Sequence, residues 1–219
     1  MKYTSYVIFG LGKFGQAVAD KLIEAGADVM VVDNDPDIIE SYSAKATSAI
    51  EADLTDPAAI KALGISNIDC AVVAMGMSLE SSIMCTMVAK ESGVKWVVAK
   101  AGNDRMGTVL SKIGADEVIY PDEESGVRTA RSLIASNFLE FLEVSEDICL
   151  IEMLPKEKWV GKSLKELNLR KKYGINVVAI RDGIVNEYVD PDIPLKANHP
   201  LLLLIHKNNL PKLDKNVIL

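Results

Sequence analysis

The chain has 219 residues, 49% of them hydrophobic, with 24 basic and 31 acidic residues and a net charge of −7; that length carries one large or two small cored domains. No stretch free of Asp, Glu, Lys and Arg exceeds ten residues, against the about 20 that a membrane-spanning helix needs, and no basic segment followed by an apolar one opens the chain, so neither a span nor a signal peptide is expected. Residues 1–142 hold 12 basic and 20 acidic side chains and residues 143–219 hold 12 and 11, so neither part has the clustered positive face of a nucleic-acid binder.

The first half alternates strands and helices. Tyr6–Gly10 reads as a short apolar strand. Phe14, Ala17, Val18 and Leu22 mark one face of the helix behind it, which Gly26 stops. Asp28–Asp33 is the next strand, and a weaker one lies around Thr47–Ala52. Asp56 and Pro57 are N-cap and first residue of a helix stopped by Gly64. Asp69–Met75 is a strand, Ser78 caps a helix running to Gly93, Val94–Lys100 is a strand, Asp104–Ile113 a helix and Asp116–Tyr120 a last strand. This order predicts an α/β domain with a parallel sheet covered on both faces.

Ser125–Leu142 then reads as one connecting helix. Val127, Ala130, Leu133, Ile134, Phe138, Phe141 and Leu142 lie at helical spacing and form an arc broad enough to predict a partner surface. A small α+β unit follows. Ile148–Leu154 is a strand, and Ser163 with Glu166 makes a capping box for a helix ending at Gly174. Asn176–Arg181 and Ile184–Tyr188 flank the turn signal Asp182-Gly183, and Leu201–Ile205 is the final strand. The expected division is 1–138 and 139–219.

Gly10, Gly12 and Gly15 form G-x-G-x-x-G between the first strand and its helix. In that context Gly10 permits the tight turn, Gly12 lets a nucleotide approach, Gly15 lets helix and strand touch, and the helix N-terminus faces a pyrophosphate. Asp33 ends the next strand, where a carboxylate accepts ribose hydroxyls and repels a 2′-phosphate. Asn34 and Asp35 follow it rather than an arginine, which favours NAD-like or ATP-like ligands over NADP. Asp53 is either a ligand to adenine or ribose or a helix cap in "ADLTDP". Met75-Gly76 and Lys100 end two further strands, on the edge where such sheets bind ligands. Met75 serves equally as core, and Lys100 as a solvated strand end.

Chemistry beside this site is not visible. His199 and His206, the chain's two histidines, both fall in the second unit, as turn residue and strand end. There is no Tyr-x-x-x-Lys pair, no H-E-x-x-H, and no Ser-His-Asp or Cys-His arrangement. Cys70, Cys85 and Cys149 lack metal-ligand spacing and fit a reduced cytosol. The pattern favours a nucleotide-responsive regulator. A small NAD-dependent oxidoreductase and a redox-sensing transcription regulator are the alternatives, the second lacking a helix-turn-helix and a basic face.

"VIFGLGKFG", "VVDNDP", "EADLTD", "AVVAMG", "VVAKAGND" and "LSKIGADEVIYPDEESG" together resemble an RCK domain, and more closely the Ktr/Trk-type cytosolic regulatory subunits of bacterial potassium transporters. "VGKSLKELNLRKKYGINVVAIRDG" and "DPDIPLKANHPLLLLI" are similar to that family's small C-terminal domain. The resemblance implies a Rossmann-like domain that pairs through its edges and the connecting helix, here around Leu133, Phe138 and Phe141. It implies a ring, often octameric, beneath a membrane potassium-transporter subunit, hence a cytoplasmic protein held at the inner face of the membrane. It also implies an adenine nucleotide, ATP or ADP and NAD or NADH, lined by Gly10, Leu11, Gly12, Lys13, Phe14, Asp33, Asn34, Asp53, Leu54, Met75, Gly76 and Lys100. Lys13 stands where many relatives carry an arginine that reaches the terminal phosphate; it keeps the charge without the bidentate fork. By position, Asp122 matches a divalent-cation ligand at the dimer interface, or is an acidic residue favouring a helix N-terminus. Arg170 and Asn176 match positions that bind cyclic di-AMP in some relatives, or are a helix end and a strand start.

Overall fold

The computed structural model describes residues 3–76, 78–134 and 138–213, apart from the side chains of Arg131, Ser132, Ile134 and Phe138. The chain divides into two compact units, Met1–Asp122 and Glu123–Leu219.

The first unit is a parallel six-stranded sheet of β1 (Ser5–Phe9), β2 (Asp28–Asp33), β3 (Ser48–Glu51), β4 (Cys70–Val73), β5 (Trp96–Lys100) and β6 (Glu117–Ile119), ordered β3-β2-β1-β4-β5-β6. Five helices connect the strands: α1 (Lys13–Glu24), α2 (Pro36–Tyr42), α3 (Pro57–Ala62), α4 (Leu79–Glu91) and α5 (Asp104–Lys112). The strands are apolar on both sides because both sides are covered. Along β1, Val7 and Phe9 join Val73, Val97 and the helix residues Ile60, Val88 and Leu110 in one core. Ile8 points the other way and meets Val31, Val72, Ala19 of α1 and Tyr42 of α2. Each fully buried side chain of this size contributes about 1.5–3 kcal/mol. The strand order reverses direction between β1 and β4, and in such sheets the crevice outside the carboxyl ends at that point is where ligands bind.

The second unit begins within α6 (Pro121–Ile134) and continues with β7 (Phe138–Glu143), β8 (Ile148–Met153), α7 (Leu164–Leu167), α8 (Leu169–Tyr173), β9 (Ile175–Asp182), β10 (Ile184–Asn186), β11 (Leu201–His206) and α9 (Leu210–Leu213). Its five strands form one antiparallel sheet ordered β10-β9-β11-β8-β7. Cys149, Ile151 and Met153 of β8 and Leu201, Leu203 and Ile205 of β11 alternate onto one face and bury Trp159, Leu167, Leu169 and Leu210.

Three elements depart from the sequence reading. The connecting helix does not run from Ser125 to Leu142: it starts at Pro121 and ends at Ile134, and Phe138–Glu143 is a strand. Proline suits the first helical position and Asp122, Glu123 and Glu124 suit the first turn. The strand is selected by a distant partner, since β7 pairs with β8, Phe141 opposite Ile151 and Leu142 opposite Leu150. Phe141 packs against the second unit's core, so it does not belong to a helical arc, and the side chain of Phe138 lies outside the described residues. The second departure is the helix after Ser163, which breaks in two at Asn168, a left-handed residue with φ of 47°; asparagine is one of the few non-glycine residues that tolerates this. The third is α2, which the sequence reading passed over although Asp35 caps it and Pro36 opens it. As to division, the compact units part between Asp122 and Glu123, whereas the sequence reading drew its division at residue 138.

Candidate functional site

The loop between β1 and α1 is shaped by contacts that exclude side chains. Gly10 has φ of +90°, and a Cβ there would stand 2.6 Å from Met75 Cγ. A Cβ on Gly15 would stand 2.0 Å from the Gly10 carbonyl oxygen, whereas one on Gly12 would meet nothing within 4 Å. The first and third glycines thus lock the turn against α1, and the second faces open space. Gln16 donates from Nε2 to the Leu11 carbonyl at 2.8 Å and fixes the loop from the helix side.

Gly12 is the N-cap residue of α1 and offers no side-chain oxygen to the helix. The helices α2 to α5 all have one: Asp35, Asp56, Ser78 and Asn103 accept from the first-turn N–H groups behind them. A helix start leaves up to four N–H groups without intrahelical partners and carries about half a positive charge. At α1 those donors have no side chain of the loop to receive them.

Asp33 closes β2 beside this loop. Its Oδ2 accepts the Leu11 N–H at 2.5 Å and its Oδ1 the Asp35 N–H at 3.1 Å. The carboxylate braces the glycine loop, and each oxygen keeps a further lone pair for a ligand hydroxyl. Asn34 is exposed next to it. Past the end of β3, Asp53 turns its Oδ1 back onto the Thr55 hydroxyl at 2.7 Å and the Thr55 N–H at 2.8 Å. Those two bonds hold its carboxyl below the usual carboxylate range, the hydroxyl bond contributing most. The helix cap in "ADLTDP" is Asp56, which leaves Asp53 as a loop carboxylate. Leu54 and Leu11 send their side chains into the cores, so either could meet a ligand only through its backbone.

Met75 and Gly76 follow β4. Met75 packs against the first core and lies against Gly10. Ser82, fully buried on α4, donates to the Met75 carbonyl at 2.9 Å and the Ser78 carbonyl at 2.8 Å. Lys100 closes β5 with its Nζ 2.9 Å from Asp122 Oδ2 and 5.7 Å from the centroid of the Phe14 ring. Every residue assigned to the nucleotide therefore stands at or just past the carboxyl end of one of five neighbouring strands. Gln16 and Ser82 were missed from sequence; a polar residue one past the last motif glycine, and a serine four past an N-cap serine, were the available signals.

The remaining candidates lie elsewhere. Arg170 and Asn176 line one shallow cleft of the second unit with Leu164, Lys165, Asn168 and Val177. Asp122 meets Lys100, and among the described residues no group of three or more His, Cys, Asp and Glu could hold a metal ion. His199 Nε2 lies 3.2 Å from Asp182 Oδ1, and His206 accepts the Asn208 N–H at Nδ1. The three cysteines are buried. No helix among the described residues is long and apolar enough to cross a membrane.

Residues 6–121 match the TrkA-N domain model and residues 150–217 the TrkA-C domain model. The chain is similar to the Ktr system potassium uptake protein C of Bacillus subtilis, 39% identical over 178 residues, covering 81% of this chain and 80% of that protein. It is also similar to the Ktr system potassium uptake protein A of the same organism, 31% identical over 215 residues, 98% of this chain and 97% of that one. Among solved structures, the GsuK RCK domain aligns with a TM-score of 0.66 at 16% identity, covering 98% of this chain and 48% of the other. The GsuK channel bound to NAD aligns with a TM-score of 0.66 at 15% identity, covering 99% and 40%. The chain thus spans about half or less of those structures' lengths, and at such identity the likeness is one of fold.

Proposed function

The chain belongs to the TrkA family of paired TrkA-N and TrkA-C domains, to which the Ktr potassium uptake proteins are its relatives, and from that premise we propose that it is the nucleotide-sensing regulatory subunit of a potassium uptake system. The observation that carries the reading is the uncapped start of α1 at the turning point of the sheet, between the Asp33 carboxylate and the Lys100 ammonium. The residues present fit an adenine nucleotide. N–H groups of the first turn of α1 meet a diphosphate, Gly12 leaves room for its approach, Asp33 accepts ribose hydroxyls, and Lys100 and Lys13 offer cations to phosphate oxygens. These are binding and orienting roles. Neither histidine belongs to this loop set, which is why we assign no catalysis.

In this reading residues 1–138 hold the nucleotide and residues 139–219 a second ligand. A cyclic dinucleotide such as cyclic di-AMP suits the cleft of Arg170 and Asn176, where a guanidinium and an amide can meet phosphate and base edges. The protein works at the inner face of the membrane, docked on its transporter subunit. It does so as a homodimer that builds a higher ring, the octamer being the expected size, and a divalent cation shared between copies would sit at Asp122. Titration calorimetry with ATP, ADP, NAD and NADH, with light scattering on the same samples, tests the core of the proposal. Micromolar binding of at least one nucleotide with a mass above the monomer is expected, and no binding by any of the four would overturn it.

A further inference from the structure

The Lys100 side chain is only 13% exposed, whereas that of its ion-pair partner Asp122 is 82% exposed. A Cβ placed on Gly76 would stand 3.2 Å from the Lys100 ammonium, and the Phe14 ring is 5.7 Å away. One ammonium group therefore meets the loop after β4, the start of α1 and the first turn of α6. A largely enclosed cation needs a counter-ion, and Asp122 supplies it. An ion pair whose acidic member stands in water is weak. A phosphate brings more charge and several acceptor oxygens, and makes the stronger partner.

We propose that Asp122 is a stand-in counter-ion, which a phosphate group of the bound ligand displaces from Lys100, and that this displacement loosens the first turn of α6. The inference rests on the nucleotide reading above and adds the contact through which phosphate at the sheet edge reaches the helix leading out of the first unit. The start of α6 is built to yield. Gly126 lies within the helix, and a Cβ there would meet nothing within 4 Å, so packing does not require glycine. Glycine in a helix interior weakens it by backbone entropy. The Ser125 and Gly126 amides are the first that can bond back to carbonyls of residues 121 and 122, so their protection reports on this turn.

Hydrogen exchange of the full chain, followed at Ser125 and Gly126 alone and with saturating ADP or adenosine, tests the displacement. ADP is expected to speed exchange there about three- to fivefold, the range set by a weak ion pair, and adenosine, which has no phosphate, to leave it unchanged. Asp122→Asn should show the faster exchange without ligand, respond no further to ADP, and bind ADP about three- to fivefold more tightly by calorimetry because the internal competitor is gone. ADP binding with unchanged exchange, an equal response to adenosine, or weaker ADP binding by Asp122→Asn would overturn the inference and leave the nucleotide reading standing. No binding of ADP, ATP or NAD to the unmodified chain would overturn both.

Discussion

Asp33 has two duties that one carboxylate can perform together. It accepts N–H groups of the glycine loop and of the following turn, and in the proposed nucleotide reading it also meets a ribose. Asp33→Ala should weaken ATP, ADP and NAD alike by tenfold or more, since a charge-assisted hydrogen bond is worth about 1.5–3 kcal/mol. It should also lower the melting temperature without nucleotide, because the Leu11 N–H loses its acceptor. Unequal losses among the three, measured by calorimetry, would move Asp33 off the shared ribose. In the same reading Lys13 should separate the ligands instead. It is exposed at the first position of α1, among the N–H donors proposed to hold a diphosphate, so in that reading its side-chain charge is of most use to a third phosphate. Lys13→Ala should cost ATP about tenfold, or 1.4 kcal/mol, leave NAD unchanged and place ADP between them. Equal losses for ATP and NAD would mean that Lys13 supports the loop rather than reading the ligand.

At the scale of elements, the second unit's sheet holds an ion pair with a buried acidic member and a half-exposed basic one. Glu152 on β8 has a side chain only 7% exposed, and Arg181 on β9 meets it through Nε at 2.8 Å and through a second guanidinium nitrogen at 2.9 Å. The strand between them is β11, so the pair clamps three strands. Removing Arg181 leaves a buried carboxylate without its partner and costs about 1–3 kcal/mol, whereas replacing both members of such a pair by apolar residues is often neutral. Arg181→Met should therefore lower the denaturation midpoint sharply, and the double variant Arg181→Met, Glu152→Leu should recover most of it. A double variant no more stable than the single one would show that the pair stabilises by more than mutual neutralisation. The same scale explains β7. "FLEFLE" has apolar residues at spacings that suit a helix, and what decides for a strand is the row of backbone partners offered by β8, which local periodicity cannot register.

For the whole molecule, α6 is one of the elements that expose large apolar side chains. Leu133 is 80% exposed and Val127 45% exposed on it. In the proposed dimer this face is covered by a second copy. Leu133→Asp should then shift the protein toward monomer at micromolar concentration, read by light scattering, since burial of such a side chain is worth about 1.5–3 kcal/mol and an unpaired buried charge costs more. An unchanged mass would place the contact elsewhere on the chain.

By itself the sequence determined the first unit's alternation, its parallel sheet and the glycine turn of the candidate site. These follow from short-range physics: strands buried on both faces are apolar throughout, helix starts carry their own caps at Asp56, Ser78 and Asn103, and a turn that excludes Cβ atoms at Gly10 and Gly15 must be written in glycine. Tertiary structure decided what depends on residues far apart in the chain. It turned Phe138–Glu143 into a strand by offering β8 as its partner, set Asp33 against the Leu11 N–H, and broke the helix at Asn168. It also joined Lys100 to Asp122, 22 positions later. In sequence Lys100 reads as a candidate nucleotide contact or a solvated strand end and Asp122 as a candidate cation ligand or a helix-start charge, and only the parallel alignment of β5 with β6 brings the end of one strand beside the helix start that follows the other.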